Sequence, residues 1–419
     1  MWNNKENKIN RRNLIKSLGA GALGSVLSAA VVNAADANKP DANEPNAPAP
    51  QITPQKIPTR KLGKSGVEIP VLSLGFARGG DQVLLRQALD WGVFHWDTSM
   101  AMANSEANIG QFFGKNPDAR KGVFIVTKES KSKTVDDIEN CLQSSLNRLN
   151  TTYVDLYCGV YMMSNPALLT DDVKKWAENA KKRGVIKLFG ISTHENMAKC
   201  LSAAAKTGWV DAVQTKYDFR LMQDKEMQDA IEECNKAGVG IIAMKTQSMR
   251  PRGPAAAAPA DSEADRKLIA HFLQKGFTDG QAKIKVVLDD KRISSVCSAM
   301  NTTAMLFTNV AAVLDKTALA AEDMEVLRRY ANDTCSGYCA GCGYICQQAA
   351  SGVPVSDIMR ALMYHDSYGD VAEAKALFAA ISERTRQSLL SIDYNAAEAL
   401  CPNRMPIGKL IADAVSKLA

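Results

Sequence analysis

Short apolar runs alternate with longer amphipathic stretches from Val67 onward. Each run holds about four to six residues, which is the length of a buried strand and too short for a typical helix. The stretches between them, such as residues 136–149, repeat apolar positions every three to four residues, as surface helices do. Strands are predicted in this way at residues 71–76, 93–97, 123–128, 153–158, 186–191, 212–215, 240–244 and 294–297. Eight strand–helix repeats indicate an α/β fold, a parallel (β/α)8 TIM barrel over residues 59–320.

The pattern changes after about Ala320. Helical stretches continue there, but cysteines, glycines and prolines interrupt them. Residues 321–419 are therefore predicted to form a small, mostly helical module that lies against the barrel. In TIM barrels the residues just past the carboxyl ends of the strands line the active site, so the candidate chemistry is expected at that end.

The first 58 residues lack the barrel pattern. Arg11 and Arg12 precede two apolar residues and Lys16, an arrangement that resembles the twin-arginine export signal. Residues 1–34 are predicted to be this signal peptide, with cleavage after Ala34 or Ala37, and residues 35–58 a disordered Pro/Ala/Asn-rich linker. The expected location is the periplasm or another extracytoplasmic space. The alternative is a basic N-terminus that precedes a short core helix.

The net charge of +6 does not indicate a nucleic-acid partner. Residues 1–34 carry five lysines and arginines against one glutamate, so most of the excess lies in the predicted signal. The rest of the chain has no basic stripe that could follow a phosphate backbone. No segment after the signal is long and apolar enough to predict a membrane span.

Ten cysteines fall into two groups. Five are scattered singly through the predicted barrel and are expected to pack as small apolar side chains. The other five lie in the last 85 residues, four of them within twelve positions. Such clustering is typical of a metal site rather than of a disulfide framework.

A series of short motifs runs through the barrel region. They are Arg60–Val67, Leu74-Gly75-Phe76, Asp97-Thr98-Ser99, Ser105-Glu106, Gly110, Thr127-Lys128, Asp155-Leu156-Tyr157, Gly190-Ile191-Ser192, Gln214–Tyr217, Ala243-Met244-Lys245 and Met300–Asn309. In order and spacing, over roughly residues 60–320, these motifs resemble the aldo-keto reductase family. The resemblance implies a nicotinamide cofactor across the barrel mouth. In that family a tyrosine donates a proton while hydride attacks a carbonyl carbon, a lysine and an aspartate assist the tyrosine, and a histidine orients the substrate.

Only half of the family's catalytic tetrad is present. The resemblance places Asp97 and Lys128 at the aspartate and lysine positions, but Met102 stands where the tyrosine is expected and Val160 where the histidine is expected. Loss of a general acid costs about 10²–10⁴-fold in rate. Tyr161 is the next residue, but neighbours on a strand point to opposite faces, so it could take over only if the strand ends or bulges there.

The Asp97–Lys128 pair has two interpretations. It is either a buried ion pair inherited with the fold or a working electrostatic site for another reaction, since a buried pair is costly to keep for stability alone. His95 lies two residues before Asp97 and therefore shares its face. It is expected to be a core histidine deeper in the barrel.

The resemblance also implies cofactor-binding positions. Ser192, Gln214 and Tyr217 match positions that hold or stack the nicotinamide, and Asn309 matches one on the adenine side. The Glu-Gln pair that is expected a few residues before Asn309 reads Ala304-Met305. NADP(H) is therefore implied by the family, whereas the mismatches and an exported location point away from ordinary NADPH-driven carbonyl reduction.

The cysteine tail resembles a reduced version of the ferredoxin-like module that some aldo-keto reductases carry. In two-cluster ferredoxins, three cysteines of one run combine with the distant Cys-Pro cysteine of the other. That rule implies one 4Fe-4S cluster on Cys339, Cys342, Cys346 and Cys401, and the ligands of a second cluster are missing. The rival set replaces Cys401 with Cys335. A closed zinc site or disulfide pairing would also be compatible with thiols at this spacing.

Three functions are compatible with these features. The favoured one is an exported oxidoreductase with one 4Fe-4S cluster, which acts on a small organic substrate and exchanges electrons with the cluster or a partner protein. The second is a non-catalytic binding or structural protein, which predicts a filled or apolar barrel mouth. The third is ordinary aldo-keto reductase activity with a displaced proton donor, such as Tyr161 or a water held by Lys128.

Overall fold

The computed structural model describes residues 56–76, 81–102, 104–128, 134–247, 263–334 and 339–419. The predicted signal peptide, most of the predicted linker and Cys335 lie outside the described residues. The last part of the predicted linker does pack on the barrel, because Ile57 is buried and its amide donates to the carbonyl of Trp91 at 3.2 Å.

Eight parallel strands close into a barrel in sequence order, so the predicted α/β barrel fold is confirmed. An antiparallel hairpin of β1 (Thr59–Lys61) and β2 (Glu68–Pro70) lies at its amino-terminal end. Leu62 and Ile69 of this hairpin pack with the interior residues of the barrel strands and fill that end. The barrel strands are β3 (Leu72–Gly75), β4 (His95–Asp97), β5 (Phe124–Lys128), β6 (Val154–Val160), β7 (Ile186–Thr193), β8 (Ala212–Lys216), β9 (Gly240–Met244) and β10 (Ser295–Ala299).

Helices surround the strands and bury a larger apolar layer between themselves and the sheet. Their ends are capped by side chains. Thr134 and Asp137, for example, form a capping box at the start of the helix Val135–Arg148, whose acidic first turn predicts a helix start there. The helices of this layer are α1 (Gln82–Asp90), α2 (Ser105–Lys115), α3 (Ala119–Gly122), α4 (Val135–Arg148), α5 (Asp171–Arg183), α6 (Met197–Thr207), α7 (Lys225–Ala237), α8 (Glu263–Gln274), α9 (Asp279–Asp289), α10 (Thr303–Leu314) and α11 (Ala321–Asp333).

The C-terminal region is helical, as expected, and has an apolar core of its own around Ile358, Phe378 and Ile411. Its helices are α12 (Gly343–Ala349), α13 (Val355–Tyr368), α14 (Val371–Ala379), α15 (Glu383–Ser388), α16 (Asn395–Leu400) and α17 (Ile407–Leu418). Among the helices of the described ranges, none combines the length and the apolar composition that crossing a bilayer requires.

The sequence predicts that the module begins at residue 321, but the first helix after that residue packs with the barrel. Helix α11 belongs to the barrel side, because Leu327 packs in the barrel's apolar layer. The Tyr330 hydroxyl donates to Asp265 of α8 at 2.7 Å, and Lys275 donates to Asp323 at 2.6 Å. The module core begins with the cysteine segment that follows α11.

Candidate active site

A cavity of about 390 Å³ lies at the carboxyl end of the barrel strands, where active sites of such barrels lie. Strand ends supply one wall, and helices α13 and α14 of the C-terminal module supply the other. The module therefore covers the barrel mouth. The side chains that give the cavity its chemistry are Asp97, Met102, Lys128, Tyr161, His194, Lys245, Tyr364 and Glu373.

Asp97 and Lys128 form a buried ion pair on this wall. The Lys128 ammonium donates to the Asp97 carboxylate at 2.6 Å and to the carbonyl of Thr98 at 2.8 Å. The Cys297 thiol approaches the other carboxylate oxygen at 3.4 Å. Burial alone would lower the pKa of Lys128, but the charge of Asp97, the thiols of Cys158 and Cys297 and the hydrogen bond to Asp97 together outweigh it, and the net pKa is raised. The pair therefore holds a fixed ammonium at the edge of the cavity.

The end of β6 places Tyr161 in the cavity. Its pairing with β7 shifts register between Cys158 and Val160, and the strand ends at Val160. Cys158 packs inside the barrel, whereas Val160 packs in the outer layer between strands and helices. The bulge thus turns Val160 away from the mouth and leaves Tyr161 on the cavity wall beside Asp97 and Lys128.

The condition for Tyr161 to face the site, a bulge or strand end, is therefore met. Burial, with smaller contributions from Tyr364 and Glu373, raises the pKa of Tyr161. Its hydroxyl is therefore protonated at neutral pH, and it is a weaker acid than an exposed tyrosine, so only a strongly basic substrate oxygen would take its proton. Met102, in contrast, lines the cavity without any polar atom that could serve as an acid.

Two buried histidines lie near the ion pair. His95 is inside the barrel, below Asp97, and within the described residues neither ring nitrogen has a hydrogen-bond partner. Burial lowers the pKa of His95 to about 4, so it is a neutral core residue, as expected. His194 follows β7 and lines the cavity. Burial, together with the nearby charges of Lys245 and Arg360, holds its pKa well below the usual range.

Acid should destabilise the fold through His95. The unfolded state binds a proton near the ordinary histidine pKa of 6.5, whereas the folded state does not bind it until about 4. The free energy of unfolding is therefore expected to fall by about 2 kcal/mol between pH 7 and pH 5 from this group. Urea denaturation at both pH values should show a smaller drop in His95→Leu than in wild type. Equal drops in His95→Leu and wild type would contradict the assignment.

None of the four predicted cofactor positions lines the cavity. The Tyr217 ring is fully buried, and its hydroxyl donates to Asp290 at 3.1 Å, so it presents no face for stacking. The Ser192 hydroxyl accepts the Met162 amide at 3.1 Å. Both residues lie outside the cavity lining, and their role in holding a nicotinamide stays a prediction.

The other two positions differ from each other. The side-chain amide of Asn309 is engaged at both ends, since it donates to Ser298 and accepts from Gln247, each at 3.0 Å. Gln214 is fully buried, and among the described residues neither atom of its amide has a partner. Of the four predicted cofactor positions, Gln214 is the one whose side chain has free hydrogen-bonding groups among the described residues, as the carboxamide of a nicotinamide would require.

The four predicted cluster ligands lie around one small cavity of about 20 Å³. None of the described cysteines forms a disulfide. Within the described ranges, no group of three or more histidine, cysteine or acidic side chains is arranged to hold a metal ion. A zinc ion with bonds of about 2.3 Å requires sulfurs that converge on a point. Cys339, Cys342, Cys346 and Cys401 line a void about the size of one water molecule, and its volume does not distinguish one ion from a larger group.

The cysteine segment docks directly on the barrel. The amide of Asn196 donates to the carbonyl of Gly341 at 2.7 Å, and the Lys216 ammonium donates to the carbonyl of Cys339. Gly341 has a φ of 85°, and a Cβ there would lie 2.6 Å from the carbonyl oxygen of His194. Only glycine allows this approach without strain. The cysteine site thus contacts the same loop whose His194 lines the barrel cavity.

Comparison with known proteins places the barrel in a family. A model of the aldo/keto reductase family matches residues 77–303. L-galactose dehydrogenase of Arabidopsis thaliana is 25% identical over 297 residues, which cover 65% of this chain and 92% of that protein. Methylglyoxal reductase DkgB of Salmonella typhi is 32% identical over 143 residues, 32% of this chain and 52% of that protein.

Among solved structures, a Pseudomonas aeruginosa protein described as an aldo-keto reductase covers 66% of this chain and 99% of its own length. The sequence identity is 18% and the TM-score is 0.48. The family match spans just over half of the 419 residues and covers barrel strands β4 to β10. The chain therefore belongs to the aldo/keto reductase family and is an oxidoreductase of that type.

Proposed function

We propose that this family member is an exported oxidoreductase that carries one 4Fe-4S cluster on Cys339, Cys342, Cys346 and Cys401. A small organic substrate would bind in the barrel-mouth cavity. The observation that carries the proposal is the position of Cys401. It is 55 residues beyond Cys346 in the chain, yet it lines the same small void as the other three cysteines. Four thiolates are the usual ligand set of such a cluster.

The cluster would supply electrons one at a time. The cysteine segment contacts the loop of His194, so a cluster held by these cysteines would lie against the wall of the substrate cavity. Lys128, fixed by Asp97, offers a positive charge to a substrate oxygen on which negative charge develops. Tyr161 offers a proton to that oxygen. The twin arginines support export. They also support a bound cluster, because the twin-arginine route carries proteins that have already folded around their cofactors.

The second candidate is NADP(H)-dependent carbonyl reduction, which the family generally performs. Two observations favour it: Tyr161 lines the cavity as a displaced proton donor, and the buried Gln214 amide has no partner among the described residues. The other cofactor positions do not fit, so no step is assigned to a nicotinamide. A non-catalytic role is disfavoured, because it predicts a filled or apolar mouth and the cavity holds Asp97, Lys128 and Tyr161.

Anaerobic purification followed by iron and acid-labile sulfide analysis tests the proposal. We expect about four irons and about four sulfides per chain, the content of one 4Fe-4S cluster. The visible absorbance should bleach on reduction with dithionite. Zinc in place of iron, or no metal, would overturn the proposal, and quenching of NADPH fluorescence on binding would favour the second candidate.

A further inference from the structure

A histidine faces the substrate cavity from the loop that follows β7. The strand ends at Thr193, and His194 is the next residue. Leu188 of the same strand packs against the interior residues of the barrel. Because side chains alternate along a strand, His194, six residues later, continues that interior face. Its ring accordingly lines the cavity that contains Lys128 and Tyr161.

The backbone around His194 is held on both sides. The Thr193 hydroxyl donates to the carbonyl of Glu195 at 2.8 Å, and the backbone amide of Asn196 donates to the carbonyl of Gly341 at 2.7 Å. The cysteine segment packs so closely here that a Cβ at Gly341 would meet the carbonyl oxygen of His194. A side chain on a backbone fixed in this way loses little further freedom when a ligand binds to it.

The two ring nitrogens of His194 differ in their surroundings. Nδ1 is buried, and within the described part of the chain it has no hydrogen-bond partner, whereas Nε2 is not buried in this way. Since the ring lines the cavity, Nε2 is the nitrogen that a ligand can reach. A neutral imidazole carries its single proton on one of the two nitrogens, and the other nitrogen is an acceptor.

The charges near the ring decide where that proton lies. Burial and four cations, Lys245, Arg360, Lys216 and Lys128, hold the pKa of His194 well below its usual range, so the ring is neutral. Positive surroundings favour a lone pair at the buried Nδ1, and an unpaired buried N–H is the rarer kind of orphan in proteins. The proton is therefore on Nε2, where it can be donated to an acceptor in the cavity.

We propose that His194 binds the oxygen of the substrate carbonyl group, with Nε2–H as the hydrogen-bond donor. This rests on the proposed function only in that the substrate occupies the barrel-mouth cavity, and it does not depend on the cluster. Val160, where the family resemblance implies a histidine, packs in the outer layer. The imidazole of this chain thus reaches the mouth from the end of a different strand.

The other walls of the cavity indicate the rest of the ligand. Apolar side chains lie between its polar groups, with Phe76, Met102 and Met244 on the barrel side and Ala372 and Ala376 on α14. A pocket of this kind binds a compound with an apolar body, while a few polar groups fix its orientation. Benzaldehyde, an apolar ring with one carbonyl oxygen, is therefore a suitable probe for the donor.

The test measures binding without turnover. Calorimetry with benzaldehyde, in the absence of any reductant, compares wild type with His194→Phe, His194→Gln and His271→Phe. His271 is the matched control, because its Nε2 lies 2.7 Å from Asp323 and it does not line the cavity. We expect His194→Phe to bind about 2–10-fold more weakly, as loss of one hydrogen bond predicts. His194→Gln, which keeps an N–H donor, should recover most of the affinity, and His271→Phe should match wild type.

A spectroscopic signature separates a direct contact from a structural role. The chain has four histidines, so ¹⁵N-labelled histidine gives few NMR signals, and His194→Gln identifies the one from His194. Benzaldehyde should move the Nε2 signal of His194, and the ¹³C carbonyl signal of labelled benzaldehyde should move further downfield with wild type than with His194→Phe. A histidine that only supports the loop would weaken binding without moving its own Nε2 signal. Melting temperature and iron content of every variant are measured first.

The outcomes distinguish this inference from the proposed cluster. Equal binding of benzaldehyde by His194→Phe and wild type, or an unchanged Nε2 signal at saturation, would overturn the role of His194. Wild type that fails to bind benzaldehyde would overturn it too, whatever its iron content. Protein without iron that still binds benzaldehyde through His194 would overturn the cluster alone and support the donor.

Discussion

Cys401→Ser should abolish the iron content of the purified protein, while Cys335→Ser should leave it at the wild-type level. The four cysteines around the small void include Cys401, and serine is a poor substitute for a thiolate ligand of iron. A cluster held by three cysteines is expected to be lost or to retain well under half of its iron. The comparison decides between the two ligand sets, because the rival set contains Cys335 instead of Cys401.

Iron analysis, sulfide analysis and visible absorbance give the measurement, with the variants purified in parallel under anaerobic conditions. Cys234→Ser is the general control for removal of a thiol, because Cys234 is buried in the apolar layer of the barrel and does not line the void in the module. Loss of iron in Cys335→Ser with retention in Cys401→Ser would establish the rival set. Retention in both variants would contradict Cys401 as the required fourth ligand, because four thiols remain in each variant.

The barrel was predictable because its signal is repeated. Eight separate apolar runs each indicate a strand, so an error at one boundary does not change the fold. The predicted strand at residues 93–97, for instance, begins two residues before the observed β4 (His95–Asp97). The Asp97–Lys128 pair was predictable from the order of the strands. Both residues end adjacent parallel strands, so their side chains meet at one end of the barrel.

The remaining cavity residues depend on single backbone features. One bulge in β6 exchanges the roles of Val160 and Tyr161, and alternation along a strand predicts the opposite assignment unless the bulge is known. His194 could have been found, because it follows the end of β7, where site residues of such barrels lie. Tyr364 had no local signal, since it sits in an ordinary amphipathic helix and reaches the mouth only through the packing of the module.

The C-terminal module therefore changes which side chains a ligand at the barrel mouth can contact. Tyr217 matches a cofactor position in sequence, but it is fully buried and bonded to Asp290. Helices α13 and α14 cover the mouth and add Tyr364 and Glu373 to the cavity wall. Position along the barrel predicts which elements meet at the mouth, whereas the appended helices decide which side chains remain accessible to a ligand.

Lys128→Met should lower the free energy of unfolding by about 3–5 kcal/mol, because it leaves the Asp97 carboxylate buried without its ammonium partner. The double variant Asp97→Leu/Lys128→Met should recover most of that loss, since no unpaired charge remains. Urea denaturation of the four proteins of this cycle, including Asp97→Leu, gives the coupling energy. Lys225→Met is the control: Lys225 pairs with Asp229 at the surface, and its loss should change stability only slightly.

The cycle also separates the two interpretations of the pair. If the pair is only inherited with the fold, it can be replaced, and the double variant will match wild type in stability and in binding of a small carbonyl probe such as benzaldehyde. A pair that serves the site would give a double variant that folds well but has lost affinity for that probe, because the Lys128 charge no longer faces the substrate oxygen. A Lys128→Met variant as stable as Lys225→Met would contradict the buried ion pair itself, in which the side chains are 2% and 4% exposed.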